Sequence, residues 1–275
     1  MRRAAIAILA TLALCLGPAP AALAAVPFGV KDFQVAFTDE EGNQLTQAGA
    51  HPDEMVTTIR LASEPNGEGG EITTEAVKDI VIDTFAGFVG NPTAVSRCSN
   101  LDFVTPVEPD SFLPNCPDGA ALGTVEALVS VKGGTQEPHA AVYNLVPPPG
   151  VVAKIGFWLL KVPITLELGV RETPPYNVTG GLTNASQLLE VLGSELVLWG
   201  NPADESHDPI RGHCLSIANG ESIGEKCAGG SPVPFLTLPR ACEGPLSAKI
   251  AISSWQHPET YLEEETELPE ITGCD

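Results

Sequence analysis

The 275 residues carry 35 acidic against 14 basic side chains, a formal charge of −21. Such a surface repels nucleic-acid phosphates and anionic membranes alike. The 27 glycines and 25 prolines favour many short strands and turns, and 43% apolar residues exclude global disorder.

Residues 1–25 read as a secretory signal peptide. Arg2 and Arg3 form the positive end, and Ala4 to Leu16 is an uncharged apolar run. Gly17, Pro18 and Pro20 break that run, and Ala22-Leu23-Ala24 supplies the small-residue cleavage pattern. A bilayer helix needs about 20 apolar residues, so no membrane span is expected. Leu12-Ala13-Leu14-Cys15 has the outline of a lipoprotein signal, but the bulky Leu14 precedes the cysteine. The chain is therefore expected to be secreted or held at the cell surface.

Beyond the leader, Lys31 to Thr38 alternates, with Phe33, Val35 and Phe37 on one face. Met55 to Leu61 and Val77 to Thr84 are two further predicted strands. Strand patterns resume at Gly123 to Val131, Ala140 to Val146, Val152 to Leu160 and Ile164 to Val170. Pro147-Pro148-Pro149-Gly150 is too stiff to continue a strand, and marks either a domain sub-boundary or a rigid loop. Asn184 to Leu192 is the best helix candidate, capped by Asn184 or Ser186, with Leu188, Leu189 and Leu192 on one face. Glu195 to Trp199 and Leu246 to Ser253 return to strand. The pattern predicts an all-β fold, an antiparallel sandwich or jelly roll with one short helix and long Pro/Gly-rich loops. Residues 26–240 form the expected β-sandwich domain, and 241–275 a terminal β segment.

Cys15 leaves with the leader, and Cys98, Cys116, Cys214, Cys227, Cys242 and Cys274 remain. An even number in an exported chain reads as a disulfide framework. The simplest connectivity is sequential: Cys98–Cys116, Cys214–Cys227 and Cys242–Cys274. No CxxC pair suggests zinc.

A set of phrases recurs together: Phe37-Thr38-Asp39, Gln47-Ala48-Gly49-Ala50-His51-Pro52, Gly87-Phe88-Val89-Gly90-Asn91-Pro92 and Asn115-Cys116-Pro117. Tyr143-Asn144-Leu145, Leu198-Trp199-Gly200-Asn201-Pro202 and Pro234-Phe235-Leu236-Thr237-Leu238-Pro239 follow, then Ser254-Trp255. In this order the set resembles the N-terminal part of large secreted β-rich proteins of unknown function from actinobacteria and related high-GC bacteria. The resemblance implies a cysteine-stapled module and carries over no catalytic residue. Those proteins are longer, so Gly273-Cys274-Asp275 reads as the opening of a following module.

Few motifs point to chemistry. His207-Asp208 and His213-Cys214 could act as base or metal ligands, but the same residues serve equally in a stapled polar loop. Asp39-Glu40-Glu41-Gly42-Asn43 lacks the ligand spacing of a calcium loop and reads as a hairpin turn. Glu263, Glu264, Glu265 and Glu267 read as a solvated face. Trp158, Trp199 and Trp255 read as packing residues. Asn177 and Asn184 match a glycosylation pattern by chance. The repeated Gly-Asn-Pro at 90–92 and 200–202 reads as two strand-ending turns, with the glycines supplying positive φ. No catalytic, cofactor-binding or metal-binding residue is assigned.

The first functional expectation is a non-enzymatic structural or adhesive module of a larger surface protein, with an extracellular partner. A carbohydrate- or small-ligand-binding sandwich is the alternative, and it predicts an exposed Trp158 or Trp199. A hydrolase would need His207 or His213 to converge with Asp208.

Overall fold

The computed structural model describes residues 26–241 and 244–274; the expected leader over 1–25 with Cys15, and Cys242, lie outside the described residues. Alternation builds the framework. β1 (Val30–Thr38) buries Phe33, Val35 and Phe37, and β2 (Glu54–Leu61) buries Met55, Thr57, Ile59 and Leu61. A period of two turns one face of each strand to a common core. The two strands pair with Phe33 opposite Ile59 and Phe37 opposite Met55. A small hairpin of β3 (Ser63–Pro65) and β4 (Glu71–Thr73) leads to β5 (Val77–Asp83) and the short β6 (Val89–Gly90).

β7 (Ala121–Val131), β8 (Gly134–Gln136), β9 (His139–Leu145), β10 (Ala153–Leu159) and β11 (Val162–Val170) then follow. The chain continues with β12 (Val178–Leu182), β13 (Glu190–Trp199), β14 (Leu236–Thr237), β15 (Leu246–Ser254) and β16 (Leu262–Leu268).

Twelve strands share one sheet in the order β1-β2-β13-β7-β9-β10-β11-β12-β5-β15-β16, with β8 beside β7. Its pairings are antiparallel. The end strands β1 and β16 pack side by side without ladder hydrogen bonds, so the sheet is a nearly closed barrel. The all-β antiparallel expectation stands, but the sandwich or jelly roll is corrected: one sheet curls onto itself. Register shifts at Val191/Gly193 and Ser253/Ser254 supply local bends. Pro147-Pro148-Pro149-Gly150 links β9 to β10, which are neighbours in this sheet, and β15 and β16 extend the same sheet.

The inner core includes Phe33, Phe37, Val125, Val142, Leu159, Ile250 and Ile252. A second apolar layer lies apart from it, built from Phe103, Tyr143, Leu145, Trp158, Trp199 and Leu215 with the Cys98–Cys116 bridge. Strand alternation explains the split. Val142 belongs to the first cluster, and its neighbours Ala141 and Tyr143 belong to the second.

The helix expected over Asn184–Leu192 is absent. Asn184 adopts φ +54°, a left-handed conformation that ends a right-handed helix. The Asn184 N–H donates to an Asp79 carboxylate (2.8 Å) and the Ala185 N–H to the Lys78 carbonyl (2.7 Å), committing the segment to β5. Leu188 is 83% exposed, and Leu192 is buried within β13. The α-helix instead spans Asn100–Val104, where the Ser99 side chain accepts the Asp102 N–H.

Neither Gly-Asn-Pro glycine has positive φ. Gly90 pairs with Leu236, and Gly200 accepts the Phe235 N–H at 2.7 Å, so both motifs grip one segment. A Cβ at position 200 would overlap the Pro52 carbonyl. Close approach, rather than an unusual dihedral, is what these turns require of Gly200.

Candidate functional site

The barrel holds a partly open cavity of about 320 Å³. Small-molecule sites occupy about 300–1,000 Å³, so the space is sufficient for a guest. Inward positions of successive strands form its wall. β2 contributes Ile59 and Leu61, β7 Val125 and Ala127, β10 Phe157 and Leu159, and β11 Ile164 and Leu166. β5 adds Ile80 and Ile82 on the opposite side. Their registry keeps the apolar faces continuous, with Phe157 opposite Ile164 and Ile82 opposite Ile250.

Several of these side chains are only half-buried, Ile80, Ile82, Ile164, Leu166 and Leu196 among them. In a close-packed interior they would touch neighbours on every side. Ala127 is a small position in the wall, where a larger side chain would enter the space, whereas Gly181 answers to close approach, since a Cβ there would meet the Ile80 carbonyl.

The polar groups of the lining include Thr73, Ser186, Gln187 and Glu190, with Ser194 farther along β13 between Ile59 and Ala127. Glu190 Oε1 accepts the Thr73 N–H at 2.9 Å, and the Thr73 hydroxyl lies 2.6 Å from the same oxygen. The turn carrying Ser186 and Gln187 is exposed and is tied down by Trp255, whose indole N–H donates to the Ala185 carbonyl at 3.1 Å.

The residues singled out from sequence lie elsewhere. His207 stacks on Trp199 with ring centroids 4.3 Å apart and 6° between planes. Asp208 is held by the buried Arg211 at 3.0 Å, and His213 Nδ1 pairs with Asp118 at 2.7 Å. Arg211 also donates to the carbonyls of Pro202, Asp204 and Cys227, so its guanidinium ties four loop positions together. The hydrolase arrangement is not formed, because neither histidine is paired with Asp208.

Trp199 is fully buried and Trp158 is 8% exposed, donating its indole N–H to the Phe103 carbonyl at 2.7 Å. The exposed tryptophan expected of a sugar-binding face is therefore corrected for both. Asn177 is buried, which removes it as a glycosylation acceptor in the folded chain. Asp39 Oδ1 accepts the N–H groups of Glu41 (3.1 Å) and Asn43 (2.8 Å), closing a turn. Glu263, Glu264 and Glu265 are all exposed on β16. Among the described residues, no three His, Cys, Asp or Glu groups gather as metal ligands, and no helix is long and apolar enough to cross a membrane.

The bridges Cys98–Cys116 and Cys214–Cys227 are formed. Cys274 is also disulfide-bonded, while Cys242, its expected partner, lies outside the described residues. These bonds fit an oxidising environment.

Sequence reasoning missed the cavity. Ile80, Ile82, Ile164 and Leu166 read as ordinary core positions, and an unfilled interior leaves no mark on alternation. The Gly180-Gly181 pair in β12 is no sign of it either, because a Cβ at each position would meet the backbone of a neighbouring strand. Comparison with protein-family models, with curated proteins and with solved structures finds no match for the chain.

Proposed function

We propose that this chain is a secreted binding protein that carries a small apolar molecule inside its barrel. The observation that carries this reading is the 320 Å³ cavity, walled by largely aliphatic side chains from seven strands and fringed by a few polar groups. That volume corresponds to about ten water-sized groups. Burying about ten methylenes is worth up to about 8 kcal/mol, and association opposes part of this, so micromolar or weaker binding is expected. The aliphatic lining suits hydrocarbon better than sugar, whose sites favour exposed aromatic rings. The leader, the acidic surface and the disulfides support action outside the cytoplasm.

The test is titration with the neutral fluorescent probe N-phenyl-1-naphthylamine. Saturable enhancement that is lost in Ala127→Phe supports carriage, because Ala127 lines the cavity and the larger ring would occupy it. Absence of saturable binding to the folded wild type sinks the proposal and leaves the structural or adhesive module as the better account.

A further inference from the structure

The same cavity restricts the chemistry of its guest, an inference that rests on the carrier reading. Among the described residues, Glu190 is the only ionisable one in the lining, and no Lys, Arg or His lines it. Oε1 of Glu190 is engaged by Thr73, and among the described residues no side chain donates to Oε2. The remaining polar lining groups, Thr57, Thr73, Ser186, Gln187 and Ser194, are all neutral.

We infer that the guest is an uncharged aliphatic amphiphile with a hydroxyl at its polar end, donating to Glu190, and that fatty carboxylates are rejected. A carboxylate entering this space would lose its hydration, meet no cation, and lie beside a second carboxylate. A hydroxyl suffers none of these penalties. It can donate to the open oxygen of Glu190 and accept from a neutral donor such as the Gln187 amide. The chain would run along Ile80, Ile82, Ile164 and Leu166. The net charge of −21 adds a repulsive field against anionic guests.

The experiment displaces N-phenyl-1-naphthylamine from the wild-type protein with decanol, decanoate or decylamine at mildly alkaline pH. Decanol is expected to displace the probe at a concentration lower than decanoate by about tenfold or more. Decanoate matching decanol overturns the inference, and so does decylamine binding better than decanol. In Glu190→Gln, whose amide oxygen can still accept from Thr73, the decanol–decanoate gap is expected to narrow to about threefold or less. A gap unchanged in that variant removes Glu190 as its cause. The wild-type ratio decides selectivity without any variant. Failure of selectivity with the probe bound leaves the carrier reading intact, whereas failure of the probe to bind ends both.

Discussion

His213 places its ring Nδ1 2.7 Å from an oxygen of Asp118, and that same oxygen accepts the His213 backbone N–H at 2.8 Å. The contact joins residues 95 apart and pins the Cys214 loop against the start of β7. The hydrogen bond to Asp118 holds the His213 pKa above its ordinary 6.5, against the opposing effect of burial. Burial pushes Asp118 upward, but hydrogen bonds from the His213 ring and backbone outweigh it and leave Asp118 below 3.8.

The raised histidine contributes stability below pH 6.5 that is lost as pH rises through its folded value. The lowered aspartate contributes stability above pH 3.8 that is lost as pH falls through its folded value. The pair is therefore strongest between these limits. His213→Gln is expected to lose about 1 kcal/mol near pH 5.5 and less near pH 9, by urea denaturation. An equal loss at both would assign the effect to packing.

His207 has the opposite sign. Burial, assisted by the Arg211 guanidinium, lowers its pKa to about 4. As pH falls from 6.5 toward that value, the unfolded chain takes up the proton first and stability declines. His207→Phe keeps a ring against Trp199 without a titrating group, so it should flatten stability over this range. A slope as steep as that of the wild type would mean that other groups govern acid unfolding.

Gly200 donates its N–H to the Asp53 carbonyl at 2.6 Å and accepts from Phe235 at 2.7 Å, with the Pro52 carbonyl against its Cα. Gly200→Ala must part these segments and is expected to lose about 3 kcal/mol. Gly230→Ala, where a Cβ meets nothing within 4 Å, should stay within about 0.5 kcal/mol. Comparable thermal shifts for the two would refute the close-approach account.

Cys214–Cys227 spans 13 residues and Cys98–Cys116 spans 18. Loops of this size give about 3 kcal/mol each in the chain-entropy model. Removing the first bridge also loosens Cys227, whose carbonyl accepts from Arg211 at 2.8 Å. The double change Cys214→Ser with Cys227→Ser should reduce stability by about 3 kcal/mol or more. A loss below about 1 kcal/mol, measured by denaturant titration, would show the loop to be held by Arg211 alone.

Ala127→Phe fills existing space, so its loss of stability should remain below about 2 kcal/mol while probe binding disappears. Ile250→Val is the control: it trims a fully buried core residue outside the cavity lining. It should cost about 1 kcal/mol and leave binding intact. Loss of binding in both variants would trace the effect to general softening of the barrel.

The strands over 30–38, 54–61 and 246–254 were legible because alternation is local: each inward residue is followed two places later by another. The Cys98–Cys116 and Cys214–Cys227 pairs were legible because short, stapled loops bring sequence neighbours together. Asn184–Leu192 was misread because its leucine spacing suits a helix equally well. Hydrogen bonds to Lys78 and Asp79, about a hundred residues away in the chain, decide its conformation. Likewise nothing near Ile164 records that Phe157, Ile82 and Leu196 leave room before it.

By itself the sequence determined a net negative charge, an all-β alternation and cysteines arranged to staple loops. Only the tertiary structure decided that β13 enters between β2 and β7, that β5 lies between β12 and β15, and that the sheet curls into a barrel. The reason is physical: alternation states which residues face inward, but the order of strands around the sheet sets what they face. The cavity and Glu190's place in its wall follow from that order.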